Sequence, residues 1–124
     1  MGQRILIVDD EPNIIASLEF LLGRGGYDVR VARNGEEALS EAERFAPELV
    51  LLDVMMPKLN GYEVCQRLRQ GPAGRLMKIV MLTARGRDVD VRKGMALGAD
   101  LYVTKPFSTK DLVARVKELL APVP

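Results

Sequence analysis

Short apolar runs alternate with longer amphipathic stretches along the whole chain. The apolar runs predict five strands, at 4–8, 27–32, 48–53, 78–83 and 101–105. Helical patterns follow each of them, at 12–23, 35–45, 61–70, 87–97 and 108–120. Strands that alternate with helices of this length indicate consecutive βαβ units and a parallel sheet. The pattern therefore predicts an α/β fold with a five-stranded, doubly wound sheet.

Finer features of the pattern indicate which strand lies at an edge and where helices end. The first, third and fourth strands are almost continuously apolar, as expected when helices cover both faces of a sheet. The second alternates apolar and polar residues at 29–31, which indicates an edge strand. "GRGG" at 23–26 and "GPAG" at 71–74 are expected to close helices, and Asn34 is expected to cap one. "STKD" at 108–111 resembles a capping box with Asp in place of Glu.

Polar residues interrupt the apolar pattern at the ends of four predicted strands. Asp9 and Asp10 follow the first strand, Asp53 ends the third, Thr83 ends the fourth and Lys105 ends the fifth. In an open parallel α/β sheet, ligands bind at the carboxyl ends of the strands, where the strand order reverses. With the order 2-1-3-4-5, which is taken from a known doubly wound class, that point lies between the first and third strands. These side chains are therefore expected to share one crevice.

Three carboxylates at one edge of a sheet need either open solvent or a cation, because they repel one another. A few carboxylates, together with water and a phosphate, suit Mg²⁺. An Asp carboxylate can also accept a phosphoryl group as a nucleophile, with Lys and Thr side chains contacting the phosphoryl oxygens. Asp53 is the candidate nucleophile because it stands alone, and the pair Asp9 and Asp10 fits metal binding. On these residues alone, an ordinary helix cap at Asp9 and Asp10 remains the alternative.

Composition excludes several classes of function. The chain has 124 residues, 18 Lys plus Arg and 17 Asp plus Glu, so its net charge of +1 argues against electrostatic binding to nucleic acid or membrane. No apolar stretch approaches the roughly 18 residues of a membrane span. A single Cys fits a reducing cytoplasm. The absence of His excludes Ser–His and Cys–His nucleophile pairs, His-ligated zinc and phosphohistidine on this chain.

Four motifs together resemble the receiver domain of two-component response regulators. They are "IVDDEP", "LVLLDVMMPKLNGYE", "VMLTA" and "GADLYVTKPF", in the family's order and spacing over nearly the whole chain. The resemblance implies a flavodoxin-like (βα)5 fold, a receiver domain over 1–121, and a tail or linker start at 122–124. It also implies that a partner histidine kinase or histidine phosphotransfer protein phosphorylates Asp53.

The resemblance further implies a metal site. Mg²⁺, with Mn²⁺ as an alternative ion, would be held by Asp10, Asp53 and the backbone carbonyl of Met55. Asp9 would support the ion through a water molecule.

The resemblance also implies which groups contact and sense the phosphoryl group. Thr83, Lys105 and the backbone N–H of Ala84 would contact it. Tyr102 would be the switch aromatic, turning inward when Thr83 moves and so changing the surface of the fourth helix, fifth strand and fifth helix. The Lys105–Pro106 peptide bond would be cis.

Two other functions are alternatives for a chain of this pattern. A flavodoxin-like mononucleotide binder would share the fold but needs a Ser/Thr/Gly-rich phosphate cradle, where this chain has "DDEP" at 9–12. An Asp-nucleophile phosphatase typically has a second Asp two residues after the nucleophile, and here that residue is Met55. Hydrolysis should therefore be slow, which predicts a phosphoacceptor switch and not a turnover enzyme.

The end of the chain indicates how the domain would be connected to the protein that it controls. Pro122 and Pro124 favour an extended connector, so we expect a receiver excised from a longer protein that controls an output domain or effector. A stand-alone phosphorelay intermediate is the alternative.

Leu101 replaces an Asp that winged-helix regulators usually carry for dimerisation. We therefore expect a monomer before phosphorylation.

Overall fold

Five strands and five helices alternate along the chain. The computed structural model describes residues 2–56, 59–71, 74, 76–84 and 86–121, so the predicted tail and residues 72 and 73 of "GPAG" lie outside it. Strands β1 to β5 are Arg4–Val8, Asp28–Ala32, Leu49–Asp53, Lys78–Thr83 and Leu101–Thr104. Helices α1 to α5 are Pro12–Arg24, Gly35–Phe45, Gly61–Gln70, Asp88–Ala96 and Thr109–Leu120. None of these helices is long and apolar enough to cross a membrane, over the residues described.

The strands form one parallel sheet in the order β2-β1-β3-β4-β5, which confirms the predicted fold. β2 lies at an edge, as its alternating pattern predicts. The register places Val8 beside Leu52, and Asp53 beside Leu82. The carboxyl ends of β1, β3 and β4 therefore meet at one edge, at the place where the strand order reverses.

Helices cover both faces of the sheet and form two hydrophobic cores. On one face, alternate strand residues such as Leu6 and Val8 pack with residues of α2 and α3. On the other, Ile5 and Ile7 pack with residues of α1 and α5. The side chains of β1, β3 and β4 are almost entirely buried, and each large one contributes about 1.5–3 kcal/mol to folding. This packing holds the carboxyl edge of the sheet in a fixed shape.

Helix boundaries follow the capping residues. Asn34 Oδ1 accepts a hydrogen bond from Glu37 N at 2.9 Å, and Ser108 Oγ accepts one from Asp111 N at 3.2 Å. Ser108 thus precedes α5, which accounts for the one-residue difference from the predicted start. β5 ends one residue early, at Thr104, although Lys105 N still donates to the backbone oxygen of Thr83. The predicted boundaries are correct to within one residue.

Candidate functional site

Three acidic side chains meet at the carboxyl edge of the sheet. Asp9 and Asp10 follow β1, and Asp53 is the last residue of β3. One carboxylate oxygen from each lies within 4.8 Å of the others. Asp9 and Asp53 are buried, with 0% and 3% of their surface exposed, whereas Asp10 is exposed. The convergence that the strand order predicts is therefore present.

Backbone N–H groups fix the two buried carboxylates. Asp9 Oδ1 accepts a hydrogen bond from Glu11 N at 2.9 Å, and Asp53 Oδ1 accepts one from Met55 N at 3.0 Å. In each case the donor lies two residues later, an arrangement typical of Asp at the start of a turn. One oxygen of each carboxylate is thereby oriented by the loop that follows its strand.

The ammonium group of Lys105 lies beside the other oxygens. Its Nζ is 3.3 Å from Asp9 Oδ2, 3.5 Å from Asp53 Oδ2 and 3.8 Å from Glu11 Oε2. Burial by itself lowers the pKa of Lys105, but the carboxylates of Asp53 and Asp9 outweigh it and the pKa is raised overall. Lys105 therefore stays charged. The peptide bond from Lys105 to Pro106 is cis.

Asp53 is a weaker acid than an ordinary Asp side chain. Its pKa is raised from 3.8 to about 6, chiefly by burial. The hydrogen bond from Met55 N–H and the nearby Lys105 ammonium group lower the pKa, whereas the Asp9 carboxylate raises it further. At pH 7 the group is still largely ionised, so it is available as a nucleophile or a metal ligand. Its charge is poorly hydrated, and a second cation beside it would be favourable.

A glycine allows the loop after Asp53 to fold back against the strand. Gly61 N donates to the backbone oxygen of Val54 at 3.0 Å. A Cβ at position 61 would lie 2.6 Å from the backbone oxygen of Asp53 and 2.7 Å from Val54 Cα. No larger residue fits there without moving the strand end. Gly61 therefore fixes the distance between Asp53 and the start of α3.

The remaining predicted residues lie at or near the same edge. Thr83 is fully buried at the end of β4, and Ala84 follows it on the surface. Met55 directly follows the buried Val54, and its side chain is half exposed. Tyr102, in β5, is half-buried and pairs in register with Met81 of β4. Thr83 and Lys105 thus lie at the acidic edge. Tyr102 does not, and lies instead within β5, the strand that pairs with β4.

Sequence reasoning missed the part played by Tyr62. The hydroxyl group of Tyr62 lies 3.3 Å from the backbone oxygen of Asp90 and 3.3 Å from the hydroxyl group of Tyr102. In the sequence, Tyr62 is distinguished only as part of the motif "LVLLDVMMPKLNGYE". An aromatic residue with a polar tip on the buried face of a helix was the available signal, because such a hydroxyl needs a partner.

The donors at the acidic edge suit a hard divalent cation. The three clustered side chains offer only oxygen atoms, which Mg²⁺ and Mn²⁺ prefer. Asp10 is exposed, whereas Asp9 and Asp53 are buried and each contact a backbone N–H and Lys105. The chemistry of this cluster therefore fits a divalent metal ion.

Residues 5–117 match the family model described as "Response regulator receiver domain". The chain belongs to this family. It is 51% identical over 120 residues to the alkaline phosphatase synthesis transcriptional regulatory protein PhoP of Bacillus subtilis, covering 97% of this chain and 49% of that one. It is 52% identical over 118 residues to the probable transcriptional regulator ycf27 of Cyanophora paradoxa, covering 95% and 48%. The receiver domain described here thus spans about half the length of each of these relatives.

Solved structures agree with this assignment. A putative response regulator from Chloroflexus aurantiacus superimposes with a TM-score of 0.90 at 40% identity, covering 98% of this chain and all of that one. The beryllofluoride-activated DrrB receiver domain superimposes with a TM-score of 0.87 at 38% identity, covering 97% and 98%. The protein is therefore a receiver domain of a two-component response regulator. Such domains act as phosphoacceptor switches, use Mg²⁺ at the acidic pocket, and work with histidine kinases and output domains.

Proposed function

We propose that this receiver domain takes a phosphoryl group from a phosphohistidine of a partner protein onto Asp53. The partner is a sensor histidine kinase or a histidine phosphotransfer protein. An oxygen of Asp53 forms a bond to phosphorus while the phosphorus–nitrogen bond of the phosphohistidine breaks, and the imidazole leaves and regains a proton. The observation that carries the proposal is the position of Lys105, whose ammonium group contacts both buried carboxylates.

Asp53 suits the role of acceptor better than its two neighbours. Its Oδ1 is held by Met55 N, and its Oδ2 lies 3.5 Å from Lys105 Nζ. Asp9 is fully buried and Asp10 comes in the exposed turn after β1. Asp53 is the last residue of β3, so the sheet fixes it beside a cation that can neutralise phosphoryl oxygens, and positioning of this kind supplies most of the catalysis in phosphoryl transfer.

Mg²⁺, or Mn²⁺ in its place, is the cofactor of this transfer. Asp10, Asp53 and the backbone carbonyl of Met55 would hold the ion, and Asp9 would support it through water. When bound, the ion supplies positive charge next to the transferring oxygens. Asp9 meanwhile holds the Lys105 ammonium group at 3.3 Å, which keeps this cation at the site.

Phosphorylation is proposed to act as a switch. It replaces the single negative charge of the Asp53 carboxylate with an acyl phosphate of about −1.5 to −2 charges, and it places three phosphoryl oxygens beside Thr83, Ala84 N–H and Lys105. Movement of the Thr83 hydroxyl toward these oxygens would make room for the Tyr102 ring, which changes the surface of α4, β5 and α5. Both conformations pre-exist in this scheme, and the phosphoryl group shifts their populations.

The output of the switch is an effector protein or a further domain. Support comes from the two relatives, which are named as transcriptional regulators and are about twice as long as this chain. Within this scheme residues 1–121 form the receiver, 122–124 begin a connector, and the domain works in the cytoplasm. A stand-alone phosphorelay intermediate would use the same chemistry. Because Met55 stands where Asp-nucleophile phosphatases place a general acid, we expect only slow loss of the phosphoryl group.

Labelling with a small phosphodonor tests the proposal. With Mg²⁺ and acetyl phosphate, the intact mass of the wild type should rise by one phosphoryl group, and EDTA should prevent the rise. Asp53→Asn should stay unlabelled because an amide is no nucleophile here, whereas Asp111→Asn, at an exposed position on α5, should label normally. An Asp53→Asn variant labelled to the wild-type level would overturn the proposal.

The switch is tested separately with Thr83→Ala. This variant keeps the acceptor and both cations, so it should still gain one phosphoryl group. It should lose most of the change in backbone chemical shifts around Tyr102 that phosphorylation causes in the wild type. Shift changes of wild-type size in Thr83→Ala would contradict the role given to Thr83.

A further inference from the structure

Helix α4 is held to the domain with little apolar packing. Its buried residues are Asp90 and Gly94, and neither offers an apolar side chain to the core. Val89 and Met95, which are apolar, are 56% and 44% exposed. Contacts made by residues of other elements must therefore hold this helix in place.

Tyr62 of α3 makes such a contact. Its hydroxyl group donates to the backbone oxygen of Asp90 in the first turn of α4, at 3.3 Å. Lys93, one turn later, places its Nζ 4.5 Å from the centre of the Tyr62 ring, within the range of a cation–π interaction. Tyr62 itself is only 6% exposed. A buried side chain of α3 thus holds two successive turns of α4.

The same hydroxyl group also contacts the switch aromatic. Tyr62 Oη and Tyr102 Oη are 3.3 Å apart. A phenol has one proton to donate, and that of Tyr62 goes to Asp90, so Tyr102 donates to Tyr62. The result is a chain of two hydrogen bonds from β5, through α3, to α4. The ring of Tyr102 also packs so closely on α4 that a Cβ added at Gly94 would lie 2.9 Å from it.

Tyr62 is also coupled to the acceptor loop. It directly follows Gly61, whose backbone is hydrogen-bonded to Val54 and approaches the backbone oxygen of Asp53 too closely for any side chain. Tyr62 therefore keeps a fixed position relative to Asp53. A displacement of the loop after Asp53 would be transmitted to the Tyr62 hydroxyl group and from there to Tyr102 and α4.

We propose that Tyr62 is a positioning residue for the switch, and that its hydroxyl group stabilises the conformation of Tyr102 seen here. In this conformation Tyr102 is half-buried with its hydroxyl group against that of Tyr62, whereas the switched arrangement turns the ring inward. The Tyr62–Tyr102 hydrogen bond therefore favours the unphosphorylated arrangement and opposes the switched one. The inference rests on the proposed function, because it concerns the same switch. One hydrogen bond of this kind should change the ratio of the two Tyr102 conformations about two- to tenfold.

Tyrosine ring NMR tests this directly, because the chain contains only three tyrosines. With ring-¹³C tyrosine, Tyr62→Phe and Tyr27→Phe each remove one signal and so identify the third as that of Tyr102. Tyr62→Phe removes the hydroxyl group but keeps the ring that Lys93 covers. Tyr27→Phe is the matched control, since Tyr27 packs on the opposite hydrophobic core. Spectra are taken with and without Mg²⁺ and beryllofluoride, which mimics a phosphoryl group.

Without beryllofluoride, the Tyr102 signal of Tyr62→Phe should lie part of the way toward its position in the beryllofluoride-bound wild type, and less beryllofluoride should complete the shift. Tyr27→Phe should match the wild type. A Tyr102 signal that stays in the wild-type position, or that moves away from the bound position, overturns the inference. If beryllofluoride leaves the wild-type Tyr102 signal unmoved, the proposed function itself fails, and the bias proposed for Tyr62 fails with it.

A second comparison separates this role from general support of α4. The backbone amide of Gly94, against which Tyr102 packs, reports the same transition in proteins that lack the Tyr102 hydroxyl group. If Tyr62 acts through Tyr102, then Tyr62→Phe should leave the beryllofluoride response of Gly94 unchanged in a Tyr102→Phe background. If Tyr62→Phe changes the Gly94 response by the same amount in the wild type and in Tyr102→Phe, then Tyr62 acts only through Asp90. That result would overturn the positioning role.

Discussion

Lys105 Nζ lies 3.5 Å from Asp53 Oδ2, and it contacts Asp9 more closely, at 3.3 Å. This relationship joins β5 to the ends of β1 and β3. In the proposed transfer, Asp9 keeps the Lys105 ammonium group at the acidic edge while Asp53 changes from a carboxylate to an acyl phosphate. The cation is thus in place before the transfer and remains available to the product.

Replacing Lys105 should slow phosphorylation. A charge-assisted hydrogen bond contributes about 1.5–3 kcal/mol, so Lys105→Met should reduce the rate of labelling by acetyl phosphate about 10- to 100-fold at saturating Mg²⁺. Lys117→Met, an exposed position on α5, is the control and should label at the wild-type rate. Equal rates for Lys105→Met and the wild type would show that the ammonium group does not assist the transfer.

The acidity of Asp53 should appear in the pH dependence of stability. Its pKa is raised from 3.8 to about 6, chiefly by burial. Between these values the folded state keeps a proton that the unfolded state has lost, so this group's contribution to stability falls as pH rises through that window. Asp53→Asn cannot ionise and should escape the loss.

Urea unfolding in EDTA measures this difference. From pH 4 to pH 7, the free energy of unfolding of Asp53→Asn should rise relative to the wild type by up to about 3 kcal/mol. Asp111→Asn makes the same substitution at an exposed position and is the control in this comparison. A constant difference between Asp53→Asn and the wild type would contradict a raised pKa.

Mg²⁺ affinity should separate the two adjacent acids. Asp10 is exposed and is assigned as a direct ligand, whereas Asp9 is buried against Lys105 and is assigned a role through water. Loss of an indirect group costs metal affinity about 10- to 100-fold, and loss of a direct ligand should cost more. Asp10→Ala should therefore weaken Mg²⁺ binding more than Asp9→Ala. Titration calorimetry is the suitable method, because the chain has no Trp. The opposite order would overturn the ligand assignment.

Arg69 should be important for stability. Its guanidinium group donates to the backbone oxygens of Gly98, Gly74 and Met77, and its Nη2 lies 2.8 Å from Asp100 Oδ2. It thereby joins the end of α3 to the segments that precede β4 and β5.

Loss of these bonds in Arg69→Met should lower the free energy of unfolding by about 2 kcal/mol. Arg67→Met, two residues earlier and exposed, should change it by less than about 0.5 kcal/mol. Equal effects of the two substitutions on urea unfolding would show that the network around Arg69 adds nothing specific.

The sequence predicted features that depend on local signals or on a general rule of topology. Asn34 and Ser108 cap helices where expected, because capping needs only one side chain and the following turn. Asp9 and Asp53 meet because strand ends converge where the order reverses, although the order itself came from a known class of folds.

Contacts between distant elements could not be predicted in the same way. Tyr62 and Tyr102 are 40 residues apart, and their hydroxyl groups meet only because α3 and β5 have particular orientations and rotamers. Lys105 is predicted to share a crevice with Asp9, but its direct contact with that side chain, 96 residues away, depends on the path of the chain after β5. Neither pairing leaves a periodic pattern in the sequence.

Chemical identification of the phosphorylated residue tests the central claim most directly. Borohydride reduces an aspartyl phosphate to homoserine, so wild-type protein treated with acetyl phosphate and Mg²⁺, then reduced and digested, reports the labelled position by peptide mass spectrometry. Homoserine should appear at position 53 and at no other Asp, and omission of Mg²⁺ should abolish it. Homoserine at position 9 or 10, or at no position in protein that gained a phosphoryl group, would contradict the assignment of Asp53 as the phosphoacceptor.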